Sequence, residues 1–482
     1  MYIFIRPGFI LSTAQNLIMD HIVSTTPLVT SDALLFGILS AILAGIFITA
    51  KMPFFQKFYR IIPALLLCYF LPSLLNTFGI VAPNWVDLED AVTALVAAGY
   101  EAGDITRLRD LKTFVAENEV PGHLLTPFTH KSQLYYVASR FLLPASLILL
   151  TLSINLKEVF KLGPKALIMF FTATLGIVLG GPLAVLLFSA VAPDVIGGVG
   201  PEAVWRGMTT IAGSWIGGGA NQAAMFEVFE PSNKLYSIMI TVDVIVAEIW
   251  MAFLLLGVAR SEKIDKWLKA DASAVENLKN KMQEFSQSIA KIPTFVDLMV
   301  IIAIGFGFTG LAHLVADTVA PFIQENYPIL SEFSLTSKFF WLIVAATSFG
   351  LIASFTKLRN YEGAGASKIG SVFIYILVAT IGMKMNVLEI FDNPALFLVG
   401  LTWMAFHVLL LVVVAKVIRA PFFFLAVGSK ANVGGAASAP IVAAAFHPAL
   451  APVGVLLAVL GYALGTYGAW ICGILMQTAA GG

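Results

Sequence analysis

The chain has 482 residues, 59% of them hydrophobic and only 12% charged, against about 25% in soluble domains. Its 29 basic residues balance 29 acidic ones, and mean hydropathy is +0.88. This excludes a soluble enzyme, a disordered chain and a basic nucleic-acid binder, while long continuous apolar runs exclude a β-barrel; an all-α polytopic membrane protein in contact with a lipid bilayer remains.

Residues 1–31 carry one early charge, Arg6, before Pro7 and Gly8, and read as an interfacial segment in preference to a cleaved signal. Apolar runs near 32–50, 61–83, 134–152, 166–192, 203–229 and 235–259 make a first membrane repeat over 32–259, interrupted by an insertion at 84–133. A polar linker follows at 260–293. Runs near 294–323, 338–356, 368–385, 395–419, 421–446 and 448–478 make a second repeat over 294–482. About 11–13 transmembrane helices fit such a chain. Cys68 and Cys472 each lie inside an apolar run and suggest neither a disulfide nor a metal site.

Loop charges orient these runs. Lys51, Lys57 and Arg60 mark a cytoplasmic loop, as do Lys157, Lys161 and Lys165, then Lys357, Arg359 and Lys368, and finally Lys416 and Arg419. Asp194 with Glu202, and Glu389 with Asp392, mark outside loops, and the 84–133 insertion falls outside the cell. The runs at 203–229 and 421–446 are then entered from opposite sides, and they resemble each other. The first holds Gly213-Ser214, then Gly218-Gly219-Ala220, with Asn221 and Gln222 following. The second holds Gly428-Ser429, then Gly434-Gly435-Ala436, with Asn432 before and Ser438 after. The segments Leu152–Leu156 and Ile381–Met385 add a weaker echo. Similar segments in opposite orientation are the signature of two inverted-topology repeats. One count does not close. Five apolar runs separate the motifs, so either one run between 235 and 356 fails to cross or the 294–340 region crosses twice around Pro321 and Pro328.

Each mid-membrane glycine costs a helix about 1 kcal/mol relative to alanine. Irregular backbone at that depth must line a cavity or be buried in protein. A broken helix exposes N–H groups that attract anions and carbonyls that attract cations. The candidate substrate-binding residues are Ser214, Gly218, Asn221, Gln222, Ser429, Lys430, Asn432, Gly434 and Ser438. Neither motif is a phosphate loop, because no Lys-Ser/Thr follows.

An ionisable residue inside a span costs roughly 2.5–3.5 kcal/mol and is therefore a candidate for function. Asp243 and Glu248 are the candidate ion-coupling acids, Asp243 either for a proton or sodium or as a structural tie. They stand about 140° apart on a helix, which argues against one shared site. Lys430 is expected to pair with Asp243 or to bind an anion directly. Lys384 and Arg206 read as snorkelling residues near span ends, and His313 and His407 as packed and satisfied.

At Gly213–Gly218 with Asn221, at Ser429–Gly435 and at Gly461–Tyr467, the chain resembles the YjcL-like family of bacterial membrane proteins. That resemblance implies membership of the cation:proton antiporter and anion transporter superfamily, near the glutamate:sodium and bile-acid:sodium symporters. It also implies two inverted repeats with crossing discontinuous helices, and a mobile core domain that moves elevator-fashion against a dimeric scaffold domain. Lys430 and the 84–133 insertion stand apart from the pattern, and a lysine in the motif can replace a coupling cation electrostatically. The expectation is a secondary active transporter in the bacterial inner membrane, a homodimer moving a small organic anion such as an amino acid or short peptide with sodium or protons. It needs no cofactor beyond a sodium ion and has no nucleic-acid partner. A cation:proton antiporter without organic substrate ranks second, since both motifs lack a close pair of acids. An enzyme ranks last: no catalytic pair, metal cluster or nucleophile–base arrangement stands out in the spans.

Overall fold

The computed structural model describes residues 24–481, except 63, 119, 271, 272, 274, 277, 279–291, 386–392 and 448–449. The segment before 24, most of the linker beyond 270, and Glu389 and Asp392 lie outside the described residues. In chain order the principal helices are α1 Asp32–Lys51, α2 Ala64–Thr77, α3 Leu134–Leu152, α4 Pro164–Val191, α5 Val204–Gly217, α6 Gly219–Phe229, α7 Asn233–Val258 and α8 Ser261–Leu268. They continue as α9 Phe295–Asn326, α10 Lys338–Ser354, α11 Ala366–Gly382, α12 Ala395–Ile418, α13 Phe422–Asn432, α14 Gly435–Phe446 and α15 Ala451–Ala479. Among the described residues seven helices are long and apolar enough to cross a bilayer, or eight if α10 and the turn Lys357–Ala364, bent by 95°, form one span. That is fewer than the 11–13 expected, because α2 and α11 are shorter and the two glycine runs are each broken into short helices.

Helix starts follow side-chain chemistry. Ser31, Ser232 and Ser337 each accept a backbone N–H three residues on, and Thr294 with Asp297 forms a reciprocal capping box at the start of α9. The α9 helix runs 32 residues with Pro321 inside it, so no second crossing occurs at that proline.

The chain divides into two units. The smaller takes the chain before Lys57, Leu67–Val137 and a short stretch after Val378; the larger holds Lys57–Leu66, Ala138–Val378 and Leu388–Gly482. In the smaller unit, strands β1 (Ser24–Thr25), β2 (Asn84–Val86) and β3 (Thr129–Lys131) form one sheet, parallel between β1 and β2 and antiparallel between β2 and β3. The described chain is otherwise mostly helical, as expected, and this small sheet of two- and three-residue strands is an addition confined to the smaller unit. The insertion is long enough to close its own core, in which Val86, Ala91, Leu95, Leu111, Val115 and Leu125 are buried, and the sheet joins its two ends.

In the larger unit both glycine motifs interrupt their helices, but neither run continues in its first direction. A continuous helix over residues 204–229 would hold its ends about 38 Å apart. Instead Arg206 Nη1 donates to the Phe229 carbonyl at 2.6 Å, Ser232 N–H to the Pro201 carbonyl at 2.8 Å, and the Trp205 and Phe229 rings lie 5.9 Å apart. The second run closes likewise, with the Phe423 and Phe446 rings 5.2 Å apart. The expected crossing discontinuous helices are therefore two helical hairpins, α5–α6 and α13–α14. The reversals sit at Gly218, with φ +75°, and Gly434, with φ +107°. L-residues with side chains rarely adopt such backbone, and a glycine-rich run reads the same in sequence whether it kinks or reverses.

Both hairpin tips reach α15. A Cβ on Gly461 would lie 2.5 Å from the Ile216 carbonyl oxygen, at the first tip, and 3.7 Å from that of Ala431, at the second. Gly461→Val should therefore lower the thermal midpoint, at a cost of about 1–3 kcal/mol from overpacking. Gly219→Ala, with open space around its Cβ, should leave it unchanged. Thermal unfolding of the purified protein in detergent checks both.

Candidate functional site

The hairpins meet on one face of α7. Asp243, Ala247 and Trp250 follow each other at four and three residues and so form a single stripe on that helix. From the first hairpin, Gln222 Nε2 donates to Asp243 Oδ2 at 2.8 Å. From the second, Lys430 Nζ donates to the Ala247 carbonyl at 3.0 Å, and the hydroxyl of Ser429 accepts from Trp250 Nε1 at 2.8 Å. The Ser429 hydroxyl also meets His407 Nε2 at 2.8 Å, while His407 Nδ1 lies 3.1 Å from the Ala173 carbonyl. A carbonyl only accepts, so Nδ1 carries the proton, Nε2 accepts, and the serine hydroxyl donates to it. Ser429 is thus consumed by the fold, and His407 is packed and satisfied as expected.

The two asparagines are held in matching ways. Asn221 donates to the carbonyls of Gly217 (3.0 Å) and Tyr462 (3.2 Å), and its Oδ1 accepts from Thr466 at 2.7 Å. Asn432 donates to the carbonyls of Gly428 (3.1 Å) and Phe170 (3.2 Å), and its Oδ1 accepts from Thr174 at 2.8 Å. In each case one carbonyl is four residues before the asparagine. The other is four residues before the threonine, on α15 for Asn221 and on α4 for Asn432. Both amides pin a hairpin to its neighbour, and both are fully buried.

The second tip is different. Lys430 is fully buried, yet its bond to Ala247 is the one hydrogen bond its ammonium makes among the described residues. Asp243 and Glu248 both act on it electrostatically, because Nζ lies against a carbonyl between them on α7, but neither comes within the 4.0 Å of an ion pair. The same ammonium thus feels both acids despite their angular separation, though neither is bonded to it. Ser438, only 8% exposed, has a hydroxyl with no hydrogen-bond partner among the described residues. A Cβ on Gly434 would fall 2.2 Å from that hydroxyl oxygen and 3.3 Å from Lys430 Nζ, so the missing side chain leaves a cradle between the two. The 12-residue helix α14 starts there, with its first backbone N–H groups unused by the helix. Ammonium, hydroxyl and helix N-terminus converge on one spot exposed at Gly434.

At the first tip, Gly218 is partly exposed, with the Tyr462 ring 3.8 Å from the position of its missing Cβ. Ser214 and Trp215 lie beside the Asp243 carboxylate and, with Gln222, make up its hydrogen-bonding surroundings.

Two charges escaped the reading of the sequence. Arg140 and Glu227 form an ion pair at 2.6 Å, largely buried on the glutamate side, which ties α6 to a π-helical turn, Ala138–Leu142, within α3. The Arg140 guanidinium also lies 4.3 Å over the Phe339 ring. Both sit inside apolar runs, and that placement was the available signal. Arg206, expected to snorkel, instead closes the base of the first hairpin.

The family model described as "Protein of unknown function (DUF819)" matches residues 124–479, and the chain belongs to that family. The match takes in both hairpins, α7 and α15, and leaves out most of the insertion. The chain is also similar to "Uncharacterized membrane protein YjcL" of Bacillus subtilis (strain 168), 27% identical over 355 residues, which cover 70% of this chain and 82% of that protein.

The asparagine clamps can be tested directly. Asn432→Asp turns a double donor into an acceptor facing two carbonyls, and should cost about 2 kcal/mol or more of stability. Asn432→Ala and Thr174→Val should be non-additive by about 0.5–3 kcal/mol in a double-mutant cycle of thermal stability. Strictly additive losses would mean that the hydroxyl–amide bond carries no stability.

Proposed function

We propose that this member of the DUF819 family is a secondary active transporter of a small organic anion, such as an amino acid or short peptide, in the bacterial inner membrane. One observation carries the reading: a fully buried ammonium that makes a single hydrogen bond among the described residues, set beside a hydroxyl with no partner among them and a helix N-terminus. A buried charge that is short of partners is costly, and an anion bound at Gly434 would supply the missing acceptors. The substrate carboxylate would then bind to Lys430, Ser438 and the first N–H groups of α14.

The hairpins also support the inverted arrangement. A hairpin returns to the side it entered, so the first one, entered from outside, lets α7 run inward to the basic linker. Helices α9 to α12 then alternate in agreement with the loop charges at Lys357, Arg359, Lys416 and Arg419, and the second hairpin starts from inside. The count that failed to close for two crossing runs closes for two hairpins of opposite orientation. In this reading both hairpins and α7 form the transporting core of an elevator-type homodimer, and Asp243 takes the coupling proton or sodium.

Uptake of labelled amino acids, dicarboxylates and short peptides into proteoliposomes tests the proposal. Lys430→Gln should reduce uptake to below about a tenth of wild type, as expected for losing a charge-assisted bond to the substrate. Asp243→Asn should abolish accumulation against a gradient, while exposed Lys157→Gln should have no effect. Unimpaired uptake by Lys430→Gln would refute the site. Dye-monitored proton flux on adding sodium or potassium alone would point to an antiporter instead.

A further inference from the structure

The two hairpins are closed differently at their bases. The first is stapled from within, by Arg206 to the Phe229 carbonyl. The base of the second has ring contacts between Phe422, Phe423 and Phe446, and its first turn is held by a helix outside the hairpin. That helix is α8, the first segment of the polar linker. Asp265 Oδ1 accepts the backbone N–H of Phe422, the first residue of α13, at 2.7 Å. The residue at the cap position, Pro421, has no side chain able to do so. The carboxylate therefore serves both as the missing cap and as a negative charge at the positive end of α13. Burial pushes the Asp265 carboxyl above the usual range, and the Phe422 N–H opposes that rise.

Two further contacts hold α8 in place. Lys416 Nζ, in the last turn of α12, donates to the Trp267 carbonyl and lies 4.3 Å from the centre of the Trp267 ring. Leu268, 1% exposed, packs in the same apolar cluster as Phe422, Phe423 and Leu254. An eight-residue polar helix is thus fixed by a cap, a cation–π contact and a buried leucine, all at the base of the hairpin whose tip carries Lys430.

We infer that α8 is a latch on the second hairpin, so that docking or release of the linker through Asp265 and Trp267 sets how readily that hairpin opens. The functional consequence, regulated access to the anion site, rests on the transporter reading; the latch itself does not.

Hydrogen–deuterium exchange of the full-length protein in nanodiscs, with no transported anion present, tests it. Asp265→Ala should speed exchange over Phe422–Asn432 about fivefold, the usual effect of losing a helix cap, and leave Val204–Gly217 unchanged. Asp265→Asn keeps an acceptor oxygen and should stay close to wild type. Lys416→Met, which frees Trp267 without touching Asp265, should also speed exchange in the second hairpin. Unchanged exchange over Phe422–Asn432 in both Asp265→Ala and Lys416→Met overturns the latch, as does an equal rise in the first hairpin. Because no substrate is involved, such a result leaves the uptake proposal standing, and failed uptake leaves the latch to be judged by exchange alone.

Discussion

Polar groups buried within the hydrocarbon depth of a membrane have little water to turn to, so they must find partners within the protein. In this protein that requirement concentrates on one stripe of α7, where Asp243, Ala247 and Trp250 receive a side chain from each hairpin tip. The stripe fixes where the tips sit, and the tips fix where α15 must carry a glycine. Even the buried His407 is oriented through Ser429, which is itself bound to Trp250. If the stripe were removed, two reversals of the chain would lose their common support.

Within this frame the second tip is the place where satisfaction is incomplete. Asn221 and Asn432 spend every donor and acceptor on the backbone and on threonine hydroxyls, so they hold structure. Lys430 and Ser438 do not. An unsatisfied buried donor is tolerated only where something else supplies the acceptor, and here a helix N-terminus adds its own unpaired N–H groups. The contrast between clamped asparagines and a starved lysine separates scaffold from candidate site more sharply than residue type does. Ser429, a serine like Ser438, belongs with the scaffold because His407 and Trp250 already occupy it.

Much of the architecture was legible in the chain. Twelve apolar runs correspond to helices or interrupted pairs of helices, and both interruptions fall at the expected glycines. Hydropathy has a length scale, and the spanning length is set by the bilayer, so runs and boundaries survive without tertiary information. What was not legible was direction. Gly218 and Gly434 read as breaks, but a break that bends and a break that reverses have the same composition. The consequence was a topology that could not be closed by counting crossings. Arg140 and Glu227 were overlooked for a related reason: two opposite charges in separate apolar runs announce a pair only when the fold brings them to 2.6 Å.

The balanced charges and the apolar majority by themselves determined a helical membrane protein, the boundaries of its apolar runs and the two glycine motifs, because each of these depends on local composition and on the bilayer as solvent. Tertiary structure alone decided that the motifs are hairpins, that both lean on α7, and which of the candidate polar residues are already occupied. Hydrogen-bond satisfaction is a property of partners far apart in the chain: 21 residues for Gln222 and Asp243, 183 for Lys430 and Ala247. No local pattern in the sequence carries that information.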